Sequence, residues 1–218
     1  MSDGLDRLYE RFRNALSDER ADHAVELANA AYRRLPAAER AALDLDQAES
    51  LILDALTAFE AGDGSSPQIR VEAVGPTTIV HVHAVDGPFV VSTVTEELHR
   101  LGLSPIDLLH PVVGVARDGD GNLKSLGPAR TAPRRETYLA MDLHSVLNEE
   151  SRNTIAEHLR DVLDDALHAM RDFLPIKQRI AGIAMEVEVT AGARYDTAEV
   201  TEVATFLRWL LDDYFVFL

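Results

Sequence analysis

Two histidines one residue apart, His81 and His83, stand in the run TTIVHVHAV over residues 77–85. In an extended segment alternate side chains share a face, so both rings could ligate one metal ion. Two ligands do not make a site, and the other donors on offer are His110, His144 and Asp142. The expectation is a polar sheet face with no metal. Just downstream, Asp86-Gly87-Pro88-Phe89 opens the run PFVVSTVTEELHRLG. A helix N-terminus attracts anions through free N–H groups and the macrodipole. Here Pro88 removes one N–H, and neither GxGxxG nor GxxxxGK[ST] occurs in the chain. A dinucleotide or nucleoside triphosphate is therefore not expected, and the chain is read as holding no cofactor.

The remaining constellations are weaker. DGDGN (118–122) begins like a calcium loop, but Leu123 stands where that loop has glycine and Ala129 where it has its bidentate glutamate. A hairpin turn is the better reading. KSLGPARTAPRR (124–135) carries Lys124, Arg130, Arg134 and Arg135 without an acid. It is read as a solvated loop between strands, the alternative being a contact for an anion or acidic neighbour. No GxSxG or HExxH is present. Pairs such as Glu96-Glu97 and Asp164-Asp165 are adjacent on helices and diverge by about 100°, so they cannot share a proton. No catalytic residue is assigned.

These residues need elements to hold them. The chain has 218 residues, 46% of them hydrophobic, enough for a substantial core. It has no cysteine, which excludes disulfides and thiolate sites and fits a reducing cytoplasm. No apolar run reaches membrane-spanning length. The net charge of −16 repels phosphate backbones and argues against nucleic-acid binding. Acidic excess gathers at both ends and leaves the middle near neutral.

Periodicity divides the chain in three. Residues 1–66 read as helices, with Leu5, Leu8, Phe12 and Leu16 on one stripe, a second helix over Asp22–Leu35, and a third from Pro36 to Phe59. AGDGSSP (61–67) reads as a linker. Residues 67–190 change period: strands at 68–74, 77–85 and 105–118, the last broken at His110-Pro111, then an alternating run at 134–144. Helices are expected over 88–102 and 151–170, and residues 182–190 fit either a helix or a strand. Residues 191–218 read as a helix opened by Asp196 and leading into a further domain. Strand, helix, two strands, helix and a closing strand give an α+β, ferredoxin-like βαββαβ sheet with its helices on one face.

The runs PFVVSTVTEELHRLGL, HPVVGVARDGDGNL, ETYLAMDLHSV and FLRWLLDDYFVFL resemble the N-terminal region of the large NAD-specific glutamate dehydrogenases of bacteria. The resemblance covers roughly residues 77–218. It implies an ACT-type module, a small regulatory fold that often binds amino acids, within a longer polypeptide that uses NAD and forms homo-oligomers. The apolar ending Tyr214-Phe215-Val216-Phe217-Leu218 is expected to continue into that polypeptide. Ligand-binding ACT modules commonly read D-x-P-G at the strand-to-helix turn; Phe89 stands where that glycine would be. This departure favours assembly and interdomain contact over amino-acid sensing. Asp86, Gly87, Pro88 and Phe89 are the candidate effector site. His81, His83, Phe206, Trp209 and Phe215 are the candidate contact surface toward other domains of the polypeptide.

Overall fold

The structure is a computed structural model that describes residues 4–190 and 195–211. It divides into two compact units, Met1–Asp164 and Asp165–Leu218.

The first unit begins with four helices: α1 (Gly4–Ala15), α2 (Asp18–Tyr32), α3 (Ala37–Ala41) and α4 (Leu45–Ala61). The single helix expected from Pro36 to Phe59 is thus two. Asp44 takes an extended conformation and accepts the N–H groups of Asp46 and Gln47, starting a new helix in the middle of the expected one. Leu5, Leu8 and Phe12 of α1, Leu27 of α2 and Ile52, Leu56 and Phe59 of α4 are buried together.

Six strands follow: β1 (Gln68–Val74), β2 (Thr77–Val85), β3 (Ile106–Leu109), β4 (Val112–Arg117), β5 (Leu123–Pro128) and β6 (Arg135–Asp142). They form one antiparallel sheet in the order β1-β2-β6-β4-β5, with β3 also paired to β6. The α+β, ACT-like class read from the sequence holds. Its detail differs in two ways. First, the edge beside β2, which a closing strand after the second helix would fill, is taken by β1 in a hairpin. Residues 182–190 are accordingly helical, as part of α6 (Glu149–Thr190). Second, part of the loop expected over 124–135 is strand β5. As expected, the strand over 105–118 is interrupted at His110-Pro111, giving β3 and β4, and there the Pro111 carbonyl accepts both the Tyr138 N–H and the Thr137 hydroxyl. Proline at the break leaves no ladder donor unpaired.

Both faces of the sheet are covered. On one, Ile79, Val113, Val115, Tyr138 and Ala140 share a core with α1, α2 and α4. The helical segment and the sheet share this core within the first unit. On the other face Val80, Val82, Leu139 and Met141 are buried. The apolar stripes Val90, Val94 and Leu98 of α5 (Val90–Arg100) and Ile155, Leu159 and Leu163 of α6 are buried outside the helical core. Buried Glu97 joins these two helices: Arg100 donates to both its oxygens and His158 lies 3.3 Å away.

The second unit holds the remainder of α6 and α7 (Thr197–Trp209), which Asp196 opens by accepting the Ala198 N–H. No helix among the described residues is long and apolar enough to cross a membrane.

Candidate functional site

The β2-to-α5 turn is built from Asp86 to Phe89. The Asp86 N–H donates to the Arg135 carbonyl at 2.9 Å, and its carboxylate lies 3.3 Å from the Arg135 guanidinium. The turn ends at Phe89, whose φ of 77° and ψ of −13° are left-handed. Glycine reaches that region freely, whereas a bulky side chain is strained there. A phenylalanine therefore holds a backbone conformation that glycine adopts freely.

The ring does not fill the space beside it, being 59% exposed. A cleft of about 470 Å³ lies at the turn, lined by Asp86, Gly87, Phe89 and Val90 with Ser92, Thr95, Glu96, His110 and Thr137 among its walls. Of the four turn residues assigned from sequence, three line this cleft; Pro88 does not. From the sequence His110 stands out as a break in a strand and as a possible donor beside His81 and His83, not as part of this turn. Its place in the cleft wall follows from the β3–β4 interruption, which no local pattern reveals.

His81 and His83 lie elsewhere. They are buried, at 3% and 2% exposure, beneath the helices of their own chain. The surface expected to meet another domain is thus already covered from within. Phe59 of α4 packs against the His83 ring, with centroids 4.4 Å apart. The two rings also enter separate networks. His81 Nδ1 is 2.6 Å from the Tyr138 hydroxyl, and its Nε2 faces Glu72. Burial, then the charge of Arg70, hold the His81 pKa below its ordinary value.

His83 donates from Nε2 to Glu136 Oε2 at 2.9 Å. Glu136 is wholly buried and also takes Arg117 through both oxygens, at 3.0 and 2.7 Å, and Arg134 at 2.9 Å. Burial alone would push its carboxyl up; the hydrogen bonds from His83 and Arg117 overcome this and hold it at about 2. The same guanidinium groups reach the end of α4. Arg117 donates to the carbonyls of Phe59, Gly62 and Gly121, and Arg134 to that of Gly64. Residues 61–67, read as a linker, are clamped rather than free. A Cβ on Gly62 would meet His83 Nδ1 at 3.0 Å, and one on Gly64 would meet Arg134 Nη2 at 2.1 Å. These glycines serve close approach.

In the second unit Phe206 and Trp209 are exposed on α7 and stack with centroids 6.0 Å apart. Phe215 lies outside the described residues.

Residues 27–159 match the family described as the glutamate dehydrogenase ACT1 domain. The chain is 30% identical over 99% of its length to the NAD-specific glutamate dehydrogenase of Halomonas elongata, and covers 14% of that protein. It is 28% identical to the Pseudomonas aeruginosa enzyme of the same name, over 76% of this chain and 11% of that protein. The Mycobacterium tuberculosis enzyme is 30% identical over 64% of this chain and 9% of its own length. The chain belongs to the glutamate dehydrogenase ACT1 domain family.

Proposed function

We propose that this chain is the noncatalytic N-terminal ACT-like domain of a cytoplasmic NAD-dependent glutamate dehydrogenase. Its role is to help assemble the homo-oligomer and to pass conformational change to a distant catalytic region. NAD binding and the oxidation of L-glutamate to 2-oxoglutarate belong to that other region. The observation that carries the assembly role is the exposed apolar side of α7, where Val203, Phe206 and Trp209 face outward. Three large apolar side chains grouped on one short helix mark a surface that a neighbouring domain or subunit covers. The test is Phe206→Ser with Trp209→Ser in the complete enzyme, followed by light scattering. The assembled fraction should fall; an unchanged oligomer with unchanged glutamate turnover defeats the assembly reading.

The cleft at Asp86–Phe89 supports a second reading, an amino-acid effector site. Its volume suits a small ligand, and its walls mix apolar groups with hydroxyls and carboxylates. Calorimetry with aspartate, glutamate, leucine and arginine tests it. Heat that disappears in a variant with Thr95→Val supports an effector site, and silence with all four eliminates these effectors.

A further inference from the structure

We propose that His81, Glu72 and Asp54 form a binding site for one divalent transition-metal ion of the zinc class, at the seam between α4 and the β1–β2 hairpin. One donor atom from each of the three residues falls within a set no more than 4.8 Å apart. The donors come from three elements: Asp54 from α4, Glu72 from β1 and His81 from β2. This location is separate from the cleft at the β2-to-α5 turn and does not depend on the function proposed for it.

An acidic pair alone would be a poor argument, since carboxylates often gather without a metal. The independent observation is the histidine. His81 is 97% buried by its 3% exposure, yet its Nε2 makes no hydrogen bond. That nitrogen lies 3.1 Å from Glu72 Oε1, off the line a hydrogen bond would need. The other ring nitrogen is held by the Tyr138 hydroxyl at 2.6 Å. Tyr138 thus fixes the ring through Nδ1 and leaves Nε2 buried, without a hydrogen bond and beside a carboxylate oxygen, where a cation could bind it. Metal-ligating histidines show this pattern, one nitrogen to the metal and the other fixed by an outer hydrogen bond.

Arg70 does not block the site. It takes Asp54 Oδ1 at 2.7 Å and Glu72 Oε2 at 3.1 Å. Glu72 keeps Oε1 toward His81, and Asp54 keeps Oδ2. Arg70 therefore orients the two carboxylates from outside, as outer-shell groups do. Two carboxylates against one guanidinium leave a negative charge over. One imidazole with two carboxylates suits zinc and its neighbours, whereas calcium and magnesium prefer oxygen alone. The half-exposed edges of Asp54 and Glu72 leave a path from solvent and positions for water.

The test uses the 218-residue chain stripped with chelator, then titrated with zinc chloride by calorimetry and thermal unfolding. One equivalent of zinc should bind and raise the unfolding temperature, while magnesium and calcium chlorides do neither. Glu72→Gln and Asp54→Asn should each weaken zinc at least tenfold. His99→Gln, an exposed histidine on α5, should leave it unchanged. The absence of equimolar binding overturns the proposal, as does wild-type affinity in Glu72→Gln, or loss of binding in His99→Gln. Glu72 and Asp54 are partly exposed, so their variants keep the test open even if His81 variants fail to fold.

Discussion

Glu136 Oε2 lies 2.7 Å from Arg117 Nη2, and neither side chain has appreciable contact with solvent. The pair joins the middle strand of the sheet to the last turn of α4, since the same guanidinium donates to the Phe59 carbonyl. A buried ion pair is weak evidence of net stability, but removing one partner strands the other in a medium that cannot solvate it. Glu136→Gln should therefore lower unfolding stability by about 3–5 kcal/mol, and Arg117→Met by a similar amount. In Glu136→Gln with Arg117→Met the two losses should fall short of additive, because the second change removes the charge that the first strands. Urea unfolding reads this as a shift in midpoint at constant slope. Additive losses in the double variant refute the pairing account.

The same clamp sets the acid stability of the fold. Glu136 is depressed from an ordinary value of 4.5 to about 2. A depressed carboxyl contributes stability that is fully present above 4.5 and is lost as pH falls toward 2, amounting to about 3 kcal/mol. His81 is also depressed, from 6.5, chiefly by burial and then by Arg70. Its contribution has the same sign: the buried neutral ring is stable above 6.5 and loses ground as acid forces a proton onto it. Stability measured by urea should thus decline in two stages, the first beginning below pH 6.5 and the second between 4.5 and 2. Glu136→Gln should flatten the second stage and leave the first. A single stage in the wild type contradicts the assignment.

The fold was readable in the sequence where periodicity was strong and local. The helix stripe Leu5, Leu8, Phe12, the β-branched run of β2 and the turn DGDGN all have the expected form; in the turn, Asp118 accepts the N–H groups of Asp120 and Asn122. The clamp was not readable. Glu136, Arg117, His83 and Gly62 are brought together only by strand register and by the docking of α4, and Glu136 in RETYLAMD looks like one more outward polar residue. Nothing in its own segment says that its phase, shared with Tyr138 and Ala140, faces helices. β5 was missed because LKSLGP is short, carries glycine and proline, and lies at a sheet edge, where burial imposes little alternation.

Phe89 offers a test of strain at the β2-to-α5 turn. Its φ of 77° costs a side chain about 1–2 kcal/mol relative to glycine, and its ring recovers little by burial. Comparing Phe89→Gly with Phe89→Ala separates backbone from side chain. Both remove the ring, and only the first removes the strain. The glycine variant should be more stable than the alanine variant by about 1 kcal/mol in denaturant unfolding. Equal stabilities are incompatible with a left-handed Phe89 in solution.

The clamped segment between α4 and β1 makes the sharpest contrast with a flexible linker. In a free linker, glycine-to-alanine changes are neutral or slightly stabilising, because alanine restricts the unfolded chain. Gly64 is left-handed at φ 67°, and a Cβ there would lie 2.1 Å from Arg134 Nη2 and 2.5 Å from Glu136 Oε1. Gly64→Ala must therefore strain the backbone and push Arg134 off the Glu136 carboxylate, for a loss of about 2–3 kcal/mol. Gly119, in the exposed β4–β5 turn, has nothing within 4 Å of a built Cβ and no positive φ. Gly119→Ala should stay within about 0.5 kcal/mol of the parent. Thermal and urea unfolding of the two variants measure the difference directly. If Gly64→Ala is as mild as Gly119→Ala, then residues 61–67 are a tether after all, and the helical segment is not fastened to the sheet through Arg117, Arg134 and Glu136.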